Sequence, residues 1–305
     1  MLENKKIRSL LQAILVVTIW ATSWVMIKIG LEDIPPFTFA GLRYFLAFLL
    51  LLPLAFRPSN RAEIRSFTRA DWLNLGMLGL FYYSINQGAV YAALTYLPAV
   101  SVSLVLSLTS IFTAWIAGRS LGEKLGWLQW IGLALNLFGA FFYFFPVQIP
   151  TAQLIGLFFA FAAMIGNSFG TVLGRKANIS GKGSPVTITI ISMGIGSVAL
   201  LAWGLISESW PKFNAQSLAF LLIMVVINTA FAFYLWNKAL KGLQATEASI
   251  INNTIILQIT LLAWIFLGEK LGQLDILGIG LAFAGALIVQ LPNRQSGTSR
   301  ASTTQ

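Results

Sequence analysis

Histidine and cysteine are both absent from the 305 residues, and that absence decides most of the chemistry open to this chain. No thiol nucleophile, disulfide, structural zinc site, Ser-His-Asp triad or histidine proton relay can be built without them. The ten Asp and Glu residues fall in loops or at segment ends, so no carboxylate sits in the middle of an apolar run. What is left is a set of amides, hydroxyls and aromatic rings inside long apolar stretches, which suits recognition rather than bond-making. The chain is therefore expected to be no enzyme, with no catalytic residue, no cofactor and no metal ion.

The recognition groups are patterned. The stretch from about 72 to 93 carries Tyr82, Tyr83, Ser84, Asn86 and Gln87, and its counterpart 146 residues later carries Asn228, at the place of Tyr82, then Tyr234 and Trp236. Ser103, Ser107 and Ser110 recur at i, i+4 and i+7 on one helical face, and the matching later segment has Ser249, Asn252, Asn253 and Gln258. Trp20, Thr22, Ser23 and Trp24 mark the first segment, and Asn167 and Ser168 mark the sixth. A polar group in hydrocarbon is costly unless compensated, so each of these either glues helices together or lines a substrate path. Taken singly, a serine or an amide is explained by interhelical packing. As a set on several segments with aromatics between them, they indicate a polar central cavity. The candidate substrate-binding residues are Trp20, Arg43, Tyr82, Tyr83, Asn86, Gln87, Asn167, Asn228, Trp236, Asn252, Asn253 and Gln258. Arg43 is the only charge deep inside a segment, and two readings of it stand. Either it snorkels to the headgroups at the near end of its helix, or it faces the cavity and takes a carboxylate or another anion as a bidentate pair.

These residues need elements to hold them, and composition names the kind. Apolar residues make up 57% of the chain and charged residues 10%, far from the roughly 25% charged of a soluble domain. A bilayer core needs about 20 apolar helical residues. Single-length charge-free runs lie between Arg8 and Lys28, Lys182 and Glu208, Lys212 and Lys238, Glu247 and Glu269, and Asp275 and Arg294. Double-length runs cover 72–118, with a break near Pro98, and 125–174, broken at Pro146 and Pro150. One more segment, from about Phe37 to Phe56, is interrupted only by Arg43. The expectation is an all-α polytopic membrane protein of ten transmembrane helices. A soluble bundle lacks its polar faces, a transmembrane barrel needs shorter alternating strands, and a cleaved leader needs a shorter apolar stretch than the first segment.

An even number of helices puts both termini on one side, and the basic residues say which. With that side cytoplasmic, 16 Lys and Arg are inside, Lys28, Lys212 and Lys270 are outside, and Arg43 lies within a helix. The net charge of +10 thus reads as an orientation signal facing anionic lipid, not as a nucleic-acid surface. The expected location is the cytoplasmic membrane; the expected partners are a small-molecule substrate and membrane lipid, and a monomer is compatible with the sequence.

The chain also repeats itself. Leu-Gly-Glu-Lys-Leu-Gly at 121–126 recurs at 267–272, and 11 of 22 positions from 121 to 142 are identical at this offset of 146. Five helices per half is an odd number, so the second half enters the membrane upside down, the architecture in which a midplane site alternates between the two sides. The parts are residues 1–148, residues 149–292 and a cytoplasmic tail, 293–305, that reads as disordered from its Ser and Thr content. Glu123 and Glu269, each between Gly and Lys, are expected to cap helices. Gly166, Gly170 and Gly174, and Gly278, Ala282 and Ala286, form small-residue ridges, and the fifth and tenth helices are expected to pack together as scaffold.

Trp20-Ala21-Thr22-Ser23-Trp24, Pro35-Pro36 leading to Leu42-Arg43-Tyr44, and the repeated Leu-Gly-Glu-Lys-Leu resemble the EamA-type carriers of the drug/metabolite transporter superfamily from about residue 10 to 292. The resemblance implies two inverted EamA repeats, a cavity lined by helices 1, 3, 4, 6, 8 and 9, and export of small metabolites such as amino acids. Arg43 matches the family's second-helix arginine, and the seventh segment has no arginine at the corresponding place. A non-transporting assembly factor or an intramembrane lipid-handling enzyme is the alternative.

Overall fold

A computed structural model describes residues 2–121, 126–145, 150–240, 242–243 and 245–289, and all regular structure among them is helical. The tail from Asn293, and Glu123 with its expected capping role, lie outside the described residues. The helices are α1 (Leu2–Gly30), α2 (Pro36–Ala55), α3 (Pro58–Ser66), α4 (Arg69–Leu78), α5 (Gln87–Tyr96), α6 (Ala99–Ser107), α7 (Thr109–Leu121) and α8 (Trp127–Phe144). They are followed by α9 (Thr151–Ile179), α10 (Pro185–Ser207), α11 (Ala215–Ile223), α12 (Ala232–Leu240), α13 (Ala245–Asn253), α14 (Ile255–Leu267) and α15 (Gln273–Val289). Two π-helical stretches, Gly79–Asn86 and Met224–Phe231, join α4 to α5 and α11 to α12 into continuous rods.

Seven helices among the described residues are long and apolar enough to cross a membrane, and the apolar helices Ala99–Thr113 and Gln273–Val289 are shorter. The rod at 69–96 is long enough, but Tyr82, Tyr83, Ser84, Asn86 and Gln87 dilute its apolar run. Proline sets where several helices start, its fixed φ suiting a first turn and its missing N–H costing nothing there. α2, α3 and α10 begin at Pro36, Pro58 and Pro185, and α6 and α9 directly follow Pro98 and Pro150.

Remote carboxylates close three of these starts. Glu208 accepts from Phe37 N at 2.9 Å and Thr38 N at 2.7 Å at the head of α2. Glu63 accepts from Ser184 N at 2.9 Å and Thr187 Oγ1 at 2.6 Å at the head of α10. Glu269 accepts from Ala99 N at 2.6 Å and Val100 N at 3.2 Å at the head of α6. Each anion meets the positive end of a helix dipole; Glu208 and Glu269 each take two otherwise orphaned N–H groups, and Glu63 takes one together with two hydroxyls. Glu269 is thus a cap, as its surroundings in the sequence indicate, but for a helix far from it in the chain.

The close approaches fall where small residues allow them. α8 and α15 cross at Gly139 and Gly278, where a Cβ on either residue would stand 2.6 Å from the other's carbonyl oxygen. Asn136 fixes the same contact, donating from Nδ2 to Ala282 O at 3.1 Å and accepting from Ser107 at 3.1 Å. The interior between α1, α2, α5, α6, α9 and α10 is filled by Phe39, Tyr91, Leu94, Leu104 and Met193, all without exposed surface. Outward faces carry large apolar side chains such as Phe158 and Ile206, at 69% and 82% exposure, a surface that lipid satisfies and water does not.

Candidate functional site

A cavity of about 720 Å³ lies inside the helical assembly. α1 contributes Trp20, Ser23, Trp24 and Ile27; α2 contributes Arg43 and Tyr44. The first π-helical stretch supplies Tyr82, Tyr83 and Asn86, continued by Gln87 and Val90 of α5. The second supplies Asn228 and Thr229, continued by Phe233, Trp236 and Leu240 of α12. Asn167 of α9, Asn252 of α13, Leu106, Ala248 and Ile255 complete the wall. Both π-helical stretches therefore face the same space, and π turns within helices are frequent at functional sites.

The wall is tied together by hydrogen bonds. Asn228 donates from Nδ2 to Ile19 O, to Thr22 Oγ1 at 3.2 Å and to Ser23 Oγ at 2.8 Å, while its backbone carbonyl accepts from Trp20 Nε1 at 3.1 Å. One amide thus fixes the second π-helical stretch against α1. Trp20 packs on Trp236 and Phe233 with ring centroids 5.3 and 5.9 Å apart. Tyr44, Tyr82 and Tyr83 form a second aromatic group, with Tyr83 5.6 Å from Tyr44 and 5.2 Å from Tyr82.

Arg43 does not snorkel: it is only 6% exposed and forms part of the cavity wall. Its Nη1 donates to the Tyr91 hydroxyl at 3.2 Å, and Nη2 reaches Ser23 Oγ only at 3.5 Å. Its guanidinium carbon lies 5.2 Å from the centre of the Tyr44 ring, a cation–π contact. No carboxylate lines this cavity among the described residues, so the buried cation has no counterion there.

The cavity runs from the Arg43 region toward Leu240 and Ala248, at the end of the bundle where Lys6 pairs with Glu247 at 2.7 Å. At the opposite end Tyr91 and Leu94, both without exposed surface, close the packing. Beyond them is a recess of about 500 Å³ bordered by Lys28, Glu32, Leu94, Leu97 and Glu269. The turn at Leu97 and Pro98 is clamped by charge there. Lys28 donates to the carbonyls of Leu94 and Leu97 at 2.5 and 2.7 Å, and Glu269 takes the N–H groups of Ala99 and Val100. A cation on one helix C-terminus and an anion on the next N-terminus both oppose the local dipoles favourably.

Ten of the twelve residues singled out from the sequence meet at this wall, and two do not. Asn253 faces away and donates to Ala286 O at 3.1 Å, gluing α13 to α15. Gln258, on α14, donates to the Oγ1 of Thr254, the residue that caps that helix, at 3.1 Å and also lies off the wall. Sequence reasoning passed over Tyr44, Thr229 and Phe233, which line the cavity, and the clamp formed by Lys28 and Glu269. Tyr44 was signalled by its place beside Arg43. The clamp had no local signal, since its carboxylate and the turn it holds are 170 residues apart.

Known proteins resemble this chain over most of its length. A family model described as the EamA-like transporter family matches residues 7–145 and 154–291. The chain is 28% identical over 92% of its length to the uncharacterized transporter YoaV of Bacillus subtilis (strain 168), covering 95% of that protein. It is 23% identical over 90% of its length to a probable amino-acid metabolite efflux pump of Escherichia coli (strain K12), covering 92% of that protein. A crystal structure with 16% identity superposes with a TM-score of 0.65 over 92% of this chain and 96% of the other, which speaks for the fold alone.

Proposed function

This chain belongs to the EamA-like transporter family, and from that premise we propose that it is a secondary carrier exporting a small metabolite, an amino acid or a similar compound, across the cytoplasmic membrane by alternating access. The observation that carries the reading is the cavity, in which amides and Arg43 stand among aromatic and aliphatic side chains and whose walls come from helices before and after the midpoint of the chain. Such a cavity binds one small solute and excludes lipid. Among the described residues lining it there is no histidine, cysteine or carboxylate to form a reactive constellation, which favours a carrier over an intramembrane enzyme.

Alternating access needs two halves able to exchange conformations. We read the chain as ten membrane helices in two inverted five-helix repeats, residues 1–148 and 149–292, with the tail and both termini cytoplasmic. The offset of 146 in the sequence supports this, as does the presence of a π-helical stretch in each half. The reciprocal caps support it too: the carboxylate after α2 closes the head of α10, and the one after α10 closes the head of α2. The α8 and α15 pair, locked at Gly139 and Gly278, serves as scaffold, and the remaining helices rock about it. The substrate site comprises Trp20, Arg43, Tyr82, Tyr83, Asn86, Gln87, Asn167, Asn228, Trp236 and Asn252.

Counterflow into proteoliposomes preloaded with amino-acid mixtures tests the reading. Uptake of labelled solute that depends on preloaded solute is expected. Absence of exchange for every amino acid, together with an unchanged extracellular metabolite profile in overexpressing cells, overturns it.

A further inference from the structure

Four arginines follow one another between the end of α2 and the start of α4, with no lysine among them. Arg57 is the N-cap of α3, Arg61 and Arg65 come at successive turns of one helical face, about 6 Å apart along the axis, and Arg69 begins α4. All four are exposed, and none forms an ion pair with a described residue. The two acids of this stretch are spent elsewhere. Glu63 binds Ser184 and Thr187 at the head of α10, and Asp71 takes Lys182 at 2.8 Å and the backbone N–H of Thr68 at 2.9 Å. α3 is also held in place: Ile64 and Phe67 pack against the cluster of Leu75, Leu78 and Ile188, and Asn60 donates to Leu54 O at 2.8 Å. The arginine face is the one left without a partner among the described residues.

We infer that this face is a docking site for the headgroups of anionic phospholipids of the phosphatidylglycerol kind. Its level in the molecule fits. α2 ends at Phe56, 70% exposed, and the first turn of α4 points Trp72 and Leu73 outward, at 41% and 69% exposure. Apolar surface suited to lipid thus stops on both sides at the height where the arginines stand, and a tryptophan marks that border. The chemistry fits as well. A guanidinium takes two phosphate oxygens as a bidentate pair, which an ammonium cannot reproduce, whereas an orientation signal alone is met by lysine as well as by arginine. A zwitterionic phosphatidylcholine offers the same phosphate but brings its own cation, so the unbalanced charge of the stripe selects the anionic headgroup. Glu63, between Arg61 and Arg65, ties α3 to the head of α10, so a bound headgroup fastens that helix to the bilayer surface. The stripe lies outside the cavity wall and is independent of the cargo.

The full-length protein has no cysteine, so Ala62→Cys, on the exposed side of α3, takes a single fluorophore, and Ser207→Cys, exposed at the far end of α10, takes the reference one. Each protein is reconstituted in phosphatidylcholine bilayers that hold a small, equal fraction of either phosphatidylglycerol or phosphatidylcholine with brominated, quenching chains. At position 62 the phosphatidylglycerol is expected to quench as though enriched about fivefold or more over phosphatidylcholine, the gain from one basic residue near an anionic surface, and at position 207 no enrichment is expected. Combining Arg57→Gln, Arg61→Gln and Arg65→Gln brings the two lipids level at position 62. Equal quenching by the two lipids at position 62, the same enrichment at position 207, or enrichment that survives the triple substitution overturns the inference. Loss of the enrichment in excess soluble glycerol phosphate overturns it too, because the stripe is then a site for a free anion. The comparison of the two lipids uses protein with its arginines intact, so it decides even if the triple variant fails to fold.

Discussion

Glu208 Oε2 lies 2.7 Å from the backbone nitrogen of Thr38 and 2.8 Å from its hydroxyl, so one residue after α10 closes the first turn of α2. Glu63 does the converse for α10. The start of each helix is thus closed by a carboxylate that follows the other in the chain, Glu63 from α3 and Glu208 from the residue after α10. Replacing Glu208 with Ala leaves Phe37 and Thr38 N–H groups without their acceptor and is expected to cost about 0.5–2 kcal/mol, read as a lowered Tm in detergent. A Tm equal to that of the wild type removes the cap from any stabilising role.

Glu63 makes the same contact sensitive to acid. The Thr187 hydroxyl, then the Ser184 backbone N–H, hold its carboxyl below the ordinary value of 4.5. A carboxylate whose pKa is depressed by folding stabilises the protein above its unfolded pKa, and the contribution is lost as pH falls through the lower folded value. The wild-type Tm is therefore expected to fall more steeply below about pH 4.5 than that of Glu63→Gln. Parallel pH profiles for the two proteins count against the linkage.

Asn228 and Asn253 both join helices, but only Asn228 does so at the cavity wall. Asn228→Ala opens its bonds to Thr22 and to Ser23, the latter on the cavity wall, and is expected to cut exchange by about tenfold or more. Asn253→Ala removes one bond to Ala286 O and is expected to lower Tm by no more than a few degrees with exchange kept. The reverse ranking in a flux assay would refute the placement of these two amides.

The turn at Leu97 and Pro98 gives a prediction about access. The chain contains no cysteine, so a single introduced thiol is labelled without background. Leu240→Cys, on the cavity, is expected to react readily with a water-soluble maleimide, and Leu94→Cys, fully buried behind the clamp, slowly. Adding Glu269→Ala frees the N–H groups of Ala99 and Val100 and accelerates labelling at position 94. Identical rates with and without Glu269 would show that the clamp does not hold this end shut.

At the α8 and α15 crossing, Gly139→Val has no space to enter. Overpacking of a close helix contact typically costs 1–3 kcal/mol, occasionally more, and the Gly278 carbonyl and Ala282 backbone cannot yield without separating the helices. A reduced yield of monodisperse protein and a lower Tm are expected, and a Tm within a degree of wild type would contradict the contact.

Much of this was readable in advance because the governing patterns are local. Charge-free runs mark membrane helices by length alone, and amides stand out inside them. Face assignment was harder. Asn252 and Asn253 are neighbours in sequence, yet successive residues point about 100° apart around a helix, and only the first reaches the cavity. Arg43 could not be assigned from its depth, since snorkelling and cavity lining need the same distance from the helix end; Ser23, Tyr44 and Tyr91 settle it by surrounding the guanidinium. The capping carboxylates of Glu63, Glu208 and Glu269 bind helix starts more than 120 residues away, a separation across which sequence carries no pairing signal. The π-helical stretches left no mark, because nothing in Gly-Leu-Phe-Tyr-Tyr-Ser-Ile-Asn distinguishes an i→i+5 ladder from an i→i+4 one.

Those two stretches hold a residue more than an α-helix would need for the same rise, and this makes chain length a means of altering specificity. Deleting one residue between Gly79 and Asn86 lets the rod close as a plain α-helix, turning Tyr82 and Tyr83 to new bearings while α4 and α5 keep their packing. The same deletion within α4 or α5 would rotate one flank of the rod out of register with its neighbours. Insertions and deletions, ordinarily confined to loops, thus acquire a tolerated place in the middle of the membrane, and scanning single-residue deletions along 69–96 for folded protein with changed cargo preference would reveal it as a narrow window at the π-helical stretch.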